Sequence, residues 1–242
     1  MKKGYDVFGK SYGIMYKNDL HDVKSIDHEF MRNMILLDEE TKEFLYQVKP
    51  KKTNINNHSL NEFSQKFKAE SEYIIVQNVV GYTLSIAYAC DTPIEDMKFG
   101  GTEDEIIKRG TDWCADMARV ATVLLICLEI PARILHLANL EKAYFGHVVV
   151  EAFYEGKWGV IDPIYGYCFY DNKPIDAWQL QHDKEYLVKY DDDYAGFFMG
   201  IAINDYEPCD CNNVYITTKA NEYTLLINHT NHQGKWFMGE DR

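Results

Sequence analysis

The sequence predicts an α+β fold, and three observations carry that prediction. A run of almost wholly apolar residues begins at Cys114 and reads as a buried central helix. Three short β-type runs follow it, ARILHLANL, GHVVVEAFYEG and KWGVIDP, separated by turn residues. Helical patterns precede it, so helices come first in the chain and antiparallel strands afterwards. With 242 residues, of which 46% are hydrophobic, the chain is long enough for one core with substantial additions.

Taken in order, residues 1–60 are mixed and rich in Lys, Asn and Asp. Phe30, Met31, Met34, Ile35 and Leu37 recur at roughly helical spacing and predict a helix over 26–37. The polar, Pro-containing and Asn-rich stretch 49–59 reads as a loop and boundary. Ser59 is then expected to cap a helix through Glu62, with Leu60, Phe63 and Phe67 along one face. Residues 72–89 are β-branched in places but too long for a strand, so they read as a helix. Pro93 and Gly100-Gly101 punctuate the loop that follows.

From Cys114 to about Glu129 the only polar side chains are Asp116, Arg119, Thr122 and Glu129, and Pro131 ends the helix. Glu155-Gly156-Lys157 is a hairpin connection between the second and third β-type runs. Further strand-like runs, NVYITTK and YTLLINH, predict a β-rich C-terminal part. The expected organisation is an N-terminal helical or irregular segment (1–58), a core (59–175) and a C-terminal β-rich extension (176–242), together forming one compact unit.

The net charge of −13 repels phosphate backbones and anionic membranes, which excludes nucleic acid as a natural partner. No stretch approaches the ~20 apolar residues that span a bilayer, and the first residues contain no apolar signal core. The expected location is cytoplasmic, with no membrane partner. Six cysteines do not make a dense disulfide framework, so reduced thiols are expected. Cys209, Cys211, His229 and His232 are zinc-type donors, but their CxC and HxxH spacings are not those of zinc sites. Asp191-Asp192-Asp193 lacks the alternating spacing of a calcium loop. No metal and no cofactor is expected.

The residues with chemistry are Cys114, His147 and Asp162. Cys114 opens the apolar helix, where unpaired N–H groups and the macrodipole favour a thiolate and can stabilise an oxyanion. Asp112 and Asp116 would oppose that thiolate if close, so an imidazolium partner is needed. His147 begins one strand and Asp162 ends the next, and a turn at 155–157 brings those two ends together. The Asp would then orient the ring and stabilise its charged form. His136 is the rival base, but alternation puts it on the opposite face from Leu135 and Leu137.

In order, the segment contains Gly110, Cys114, a helix ending in Glu129-Ile130-Pro131-Ala132-Arg133, His147, and Trp158 through Asp162-Pro163. This resembles the catalytic core of the transglutaminase-like superfamily of papain-fold cysteine enzymes, over roughly a fifth of the chain. The resemblance implies a papain-like core with Cys114 as nucleophile, His147 as base and Asp162 as orienter. Three departures imply a divergent branch: Gly110 stands four residues before the Cys, Val148-Val149 replaces Ala-Trp, and Glu129 replaces Gly. The family often carries an oxyanion-donating Trp about 35 residues before the Cys. Here that region reads IIVQNVVGYT, making Gln77 or Asn78 the candidate donors. The implied function is hydrolysis of an amide or peptide bond through an acyl-enzyme, with a protein or peptide as substrate. The alternatives are acyl transfer to an amine at the same site, or a binding module that keeps the fold without turnover.

Overall fold

The structure, a computed structural model, describes residues 34–47, 55, 57–88, 102–140, 146–187 and 192–204. In chain order the elements are β1 (Met34–Leu36), α1 (Lys42–Gln47), α2 (His58–Ser64), α3 (Glu72–Tyr88), α4 (Glu103–Arg109) and α5 (Cys114–Cys127). They continue as β2 (Ala132–Ala138), β3 (Gly146–Tyr154), β4 (Lys157–Asp162), β5 (Tyr167–Cys168), α6 (Ala177–His182), α7 (Asp192–Gly196) and β6 (Gly200–Asn204). Short 3-10 turns lie at Gln65–Phe67, Lys184–Tyr186 and Phe197–Met199.

The strands form one six-stranded sheet in the order β1-β6-β2-β3-β4-β5, with every pairing antiparallel. The chain is therefore α+β. Helices cover both faces of the sheet, which explains why HVVVEAFY shows no alternation of apolar and polar residues. Val148, Val150 and Ala152 pack on one side with Val76 and Val79 of α3 and with Val120 and Leu124 of α5. Leu135, Leu137, Val149, Val160 and Ile201 pack on the other with Leu180, Tyr194 and Phe198. Among the described residues no helix is long and apolar enough to cross a membrane.

Local signals set several boundaries. Glu155 (φ 51) and Gly156 (φ 78) both have positive φ, as a two-residue hairpin turn requires. At the end of α5, Glu129 N–H donates to Ile126 O and Ile130 N–H to Leu125 O, a paired C-terminal closure. That closure puts Glu129 at φ 63, a left-handed position, and so explains why Gly would suit it better.

Two expectations are corrected, and the described part of a third segment is mainly helical. Residues 34–36 are not helical but form β1, because Leu36 and its neighbours pair with Ala202, Ile203 and Asn204 of β6. A short apolar run fits either period, and the distant partner strand decides. Helix α2 is capped by Asn57, whose side chain accepts from Leu60 N–H at 3.1 Å, and not by Ser59, which lies inside the helix. The described part of 176–242 is mainly helical, and its one strand, β6, lies inside the sheet beside β2. Segments on either side of 59–175 thus complete a single sheet. NVYITTK, YTLLINH, Cys209, Cys211, His229 and His232 lie outside the described residues, as do 26–33 and Asp191.

Candidate active site

The approach to Cys114 is built by the α4–α5 connection. Gly110 caps α4 with φ 76, and the buried Thr111 Oγ1 accepts from Trp113 N–H at 3.0 Å. Trp113 occupies the N-cap of α5 and makes no side-chain cap hydrogen bond, since indole has no acceptor to offer. Cys114 thus stands at a helix N-terminus, where backbone N–H groups and the macrodipole favour a developing oxyanion. Two ion pairs clamp α4 to α5. Arg119 Nη2 lies 2.7 Å from Glu103 Oε1 with both side chains buried, and Arg109 Nη2 lies 3.2 Å from Asp116 Oδ2. The second pair answers the concern over Asp116, whose charge is matched by Arg109. Asp112 is exposed to water.

His147, one residue into β3, and Asp162, the last residue of β4, are 5% and 0% exposed. His147 Nε2 lies 2.7 Å from Asp162 Oδ2. The Cys114 side chain interacts with the same ring. Burial works to lower the His147 pKa. The charge and hydrogen bond of Asp162, with those of Cys114, override it and raise the value to about 10. Burial likewise works to raise the Asp162 pKa, but the charge and hydrogen bond of His147, the Tyr165 N–H and the Tyr194 hydroxyl pull it below the usual carboxylate range.

His136 behaves in the opposite way. It stands opposite Val148 in the β2–β3 register, whereas His147 stands opposite Leu137, so the two rings belong to opposite faces of the sheet. Burial lowers the His136 pKa to about 3, which makes it a neutral core residue and a poor proton acceptor. Cys127 and Cys168 also differ from Cys114 in setting. Burial, helped by Glu103 and Asp104, pushes Cys127 up to about 11, and burial pushes Cys168 up to about 12.

Gln77 and Asn78 are not brought to this site. Both are exposed; Gln77 Nε2 donates to Tyr73 Oη at 2.9 Å and Asn78 Nδ2 to Phe67 O at 3.2 Å. Tyr73 stacks on Tyr170 at 4.2 Å, and Glu155 N–H donates to Glu72 Oε2 at 2.6 Å, so α3 starts at the β3–β4 turn. His147 is at the other end of β3, roughly 23 Å from Tyr154 at the strand rise per residue. The end of α3 that reaches the site carries Leu84, against Gly166 in the turn after Asp162, and Ile86, near Gly110.

Sequence reasoning missed Tyr194. Its hydroxyl donates to Asp162 Oδ2 at 2.9 Å from a short helix far along the chain. The Asp162 turn is equally exacting. Gly166 N–H donates to Asp162 O at 2.9 Å, Gly166 has φ +73, and a Cβ there would stand 2.6 Å from Leu84 Cδ2. Gly166→Ala is expected to cost about 1–3 kcal/mol, from backbone strain and displacement of Leu84. Urea denaturation measures this, and an unchanged midpoint would show that the turn relaxes freely.

No family model matches this chain, and neither a curated protein nor a solved structure matches it.

Proposed function

We propose that the chain is a cysteine-dependent hydrolase of amide or peptide bonds that works through an acyl-enzyme on Cys114. The observation that carries the reading is a single buried imidazole placed between a carboxylate and the thiol at a helix N-terminus. His147 bridges Asp162 and Cys114, and a protonated ring there attracts the charge of each.

The Cys114 thiolate attacks the carbonyl carbon, and the oxygen that gains charge is met by the first amides of α5. Collapse of the tetrahedral intermediate breaks the C–N bond as the His147 ring gives its proton to the departing amine, leaving a thioester. Water then attacks the thioester carbonyl and gives a proton back to His147, and Cys114 leaves as thiolate with the ring again charged. Asp162 keeps its proton inventory unchanged throughout and holds the ring. On this reading the unit from α5 to β4 is a transglutaminase-like, papain-type core. What supports that assignment is the order of its parts, a Cys at the first turn of a buried helix, a His opening one antiparallel strand and an Asp closing the next.

p-Nitrophenyl acetate tests the proposal. Rapid release of p-nitrophenol with an acetyl adduct on Cys114 by peptide mapping, absent in Cys114→Ala, is expected. Decay of the adduct in buffer alone identifies a hydrolase, and decay only on adding a primary amine identifies an acyltransferase. An adduct that never forms in the folded wild type would sink both.

A further inference from the structure

The geometry points to Tyr194 as a positioning residue that fixes the Asp162 carboxylate and through it the orientation of His147. The inference rests on the nucleophile–base reading above. Asp162 accepts four hydrogen bonds, from Ile164 N–H at 2.9 Å and Tyr165 N–H at 3.0 Å on Oδ1, and from Tyr194 Oη at 2.9 Å and His147 Nε2 at 2.7 Å on Oδ2. Four is about the acceptor capacity of a carboxylate. The two backbone bonds hold one oxygen, but the other, which holds the His147 ring, has Tyr194 as its second donor.

A buried tyrosine commonly donates to whatever acceptor is nearest, so location has to carry the argument. Tyr194 shares an oxygen with His147, 32 positions from Asp162, and is 4% exposed. Its ring is gripped edge-on by Tyr165 and Tyr167, each at 5.5 Å, and by Phe197 at 5.9 Å, which leaves the hydroxyl little freedom. Phe197, three residues on, lies 5.1 Å from the His147 ring itself. One segment, α7 and the turn after it, therefore holds both members of the pair from the face opposite α5. Among the described residues, the titratable groups that meet the pair are Cys114 from α5, Tyr165 from the turn after β4 and Tyr194 from α7, and Asp112 and the Arg109–Asp116 pair flank Cys114 along the chain.

The hydroxyl pins the Asp162 oxygen that also holds the ring, so its loss lets the carboxylate rotate and loosens the orientation of His147 towards Cys114. The test is the rate of iodoacetamide alkylation at Cys114 against pH, in the full chain. The proteins compared are wild type, Tyr194→Phe, His147→Ala and the double variant. Tyr194→Phe keeps the packed ring. It is expected to move the acid limb up by about half a pH unit, which slows labelling near pH 6 about threefold, and to change nothing further in the His147→Ala background. A Tyr194→Phe profile that superimposes on wild type, while His147→Ala departs from it, overturns the role of Tyr194 and leaves the underlying reading standing. An equal loss with and without His147 also overturns it, since the hydroxyl would then act on folding alone. Wild-type labelling that is indifferent to His147 removes the underlying reading itself. If Tyr194→Phe melts below the assay temperature, both it and wild type are measured in the cold, with the same shift expected and an unshifted limb overturning the proposal.

Discussion

His147→Ala is expected to slow iodoacetamide labelling of Cys114 near pH 6 by about 10²-fold, with Cys127 and Cys168 unlabelled in either protein. The proton on His147 is the cause. Held by Asp162 and Cys114 to about 10, it keeps a positive charge beside the sulfur throughout the neutral range. Without it, the sulfur keeps the field of the α5 N-terminus, with Asp116 paired to Arg109. Labelling at equal rates in the two proteins would show that the ring does not serve the sulfur. The same proton has a consequence for stability. The folded-state pKa of about 10 exceeds the ordinary value of about 6.5, so between those limits the native state holds a proton that the unfolded chain lacks. The stabilisation is complete below about pH 6.5 and is lost as pH rises towards 10. Urea midpoints should fall more steeply over that window in wild type than in His147→Ala, and parallel curves would contradict the shift.

Glu103→Ala should be the most destabilising single change in the α4–α5 clamp, at about 3–5 kcal/mol. Glu103 and Arg119 are both 0% exposed and 2.7 Å apart. Removing the carboxylate takes the ion-pair partner from a guanidinium that is fully buried in α5, the helix that also buries Met117, Val120 and Leu124. The double variant Glu103→Leu/Arg119→Met removes both charges and should recover most of that loss, because a buried pair contributes little net stability over apolar residues of similar volume. A loss under about 1 kcal/mol in the single variant would mean that water reaches Arg119. The clamp also aims the nucleophile. Glu103 opens α4 and Arg119 lies in the second turn of α5, so the pair fixes the two helices whose short connection carries Gly110, Thr111 and Trp113 to Cys114.

By itself the sequence determined the elements whose signals are local. Helix α5 was legible because an apolar run of its length, stopped before Pro131, has no other stable conformation. Strands β2, β3 and β4 were legible from short β-branched runs set off by turns, and the Glu155-Gly156 hairpin from the need for positive φ. Those same strands made the closeness of His147 and Asp162 readable, because a hairpin brings the start of one strand beside the end of the next. Tertiary structure decided the rest. β1 and β6 carry no pattern that distinguishes them from short helices, and they become strands only by pairing with each other and with β2. Gln77 and Asn78 had the right residue types, but the direction of α3 across the sheet takes them to the far end of the hairpin. Tyr194 sits in DDDYAGFF, a stretch with nothing local to mark it. Propensity and periodicity act over a few residues, whereas its bond to Asp162 spans 32 positions and exists only because the packing on the second face of the sheet brings α7 to the end of β4.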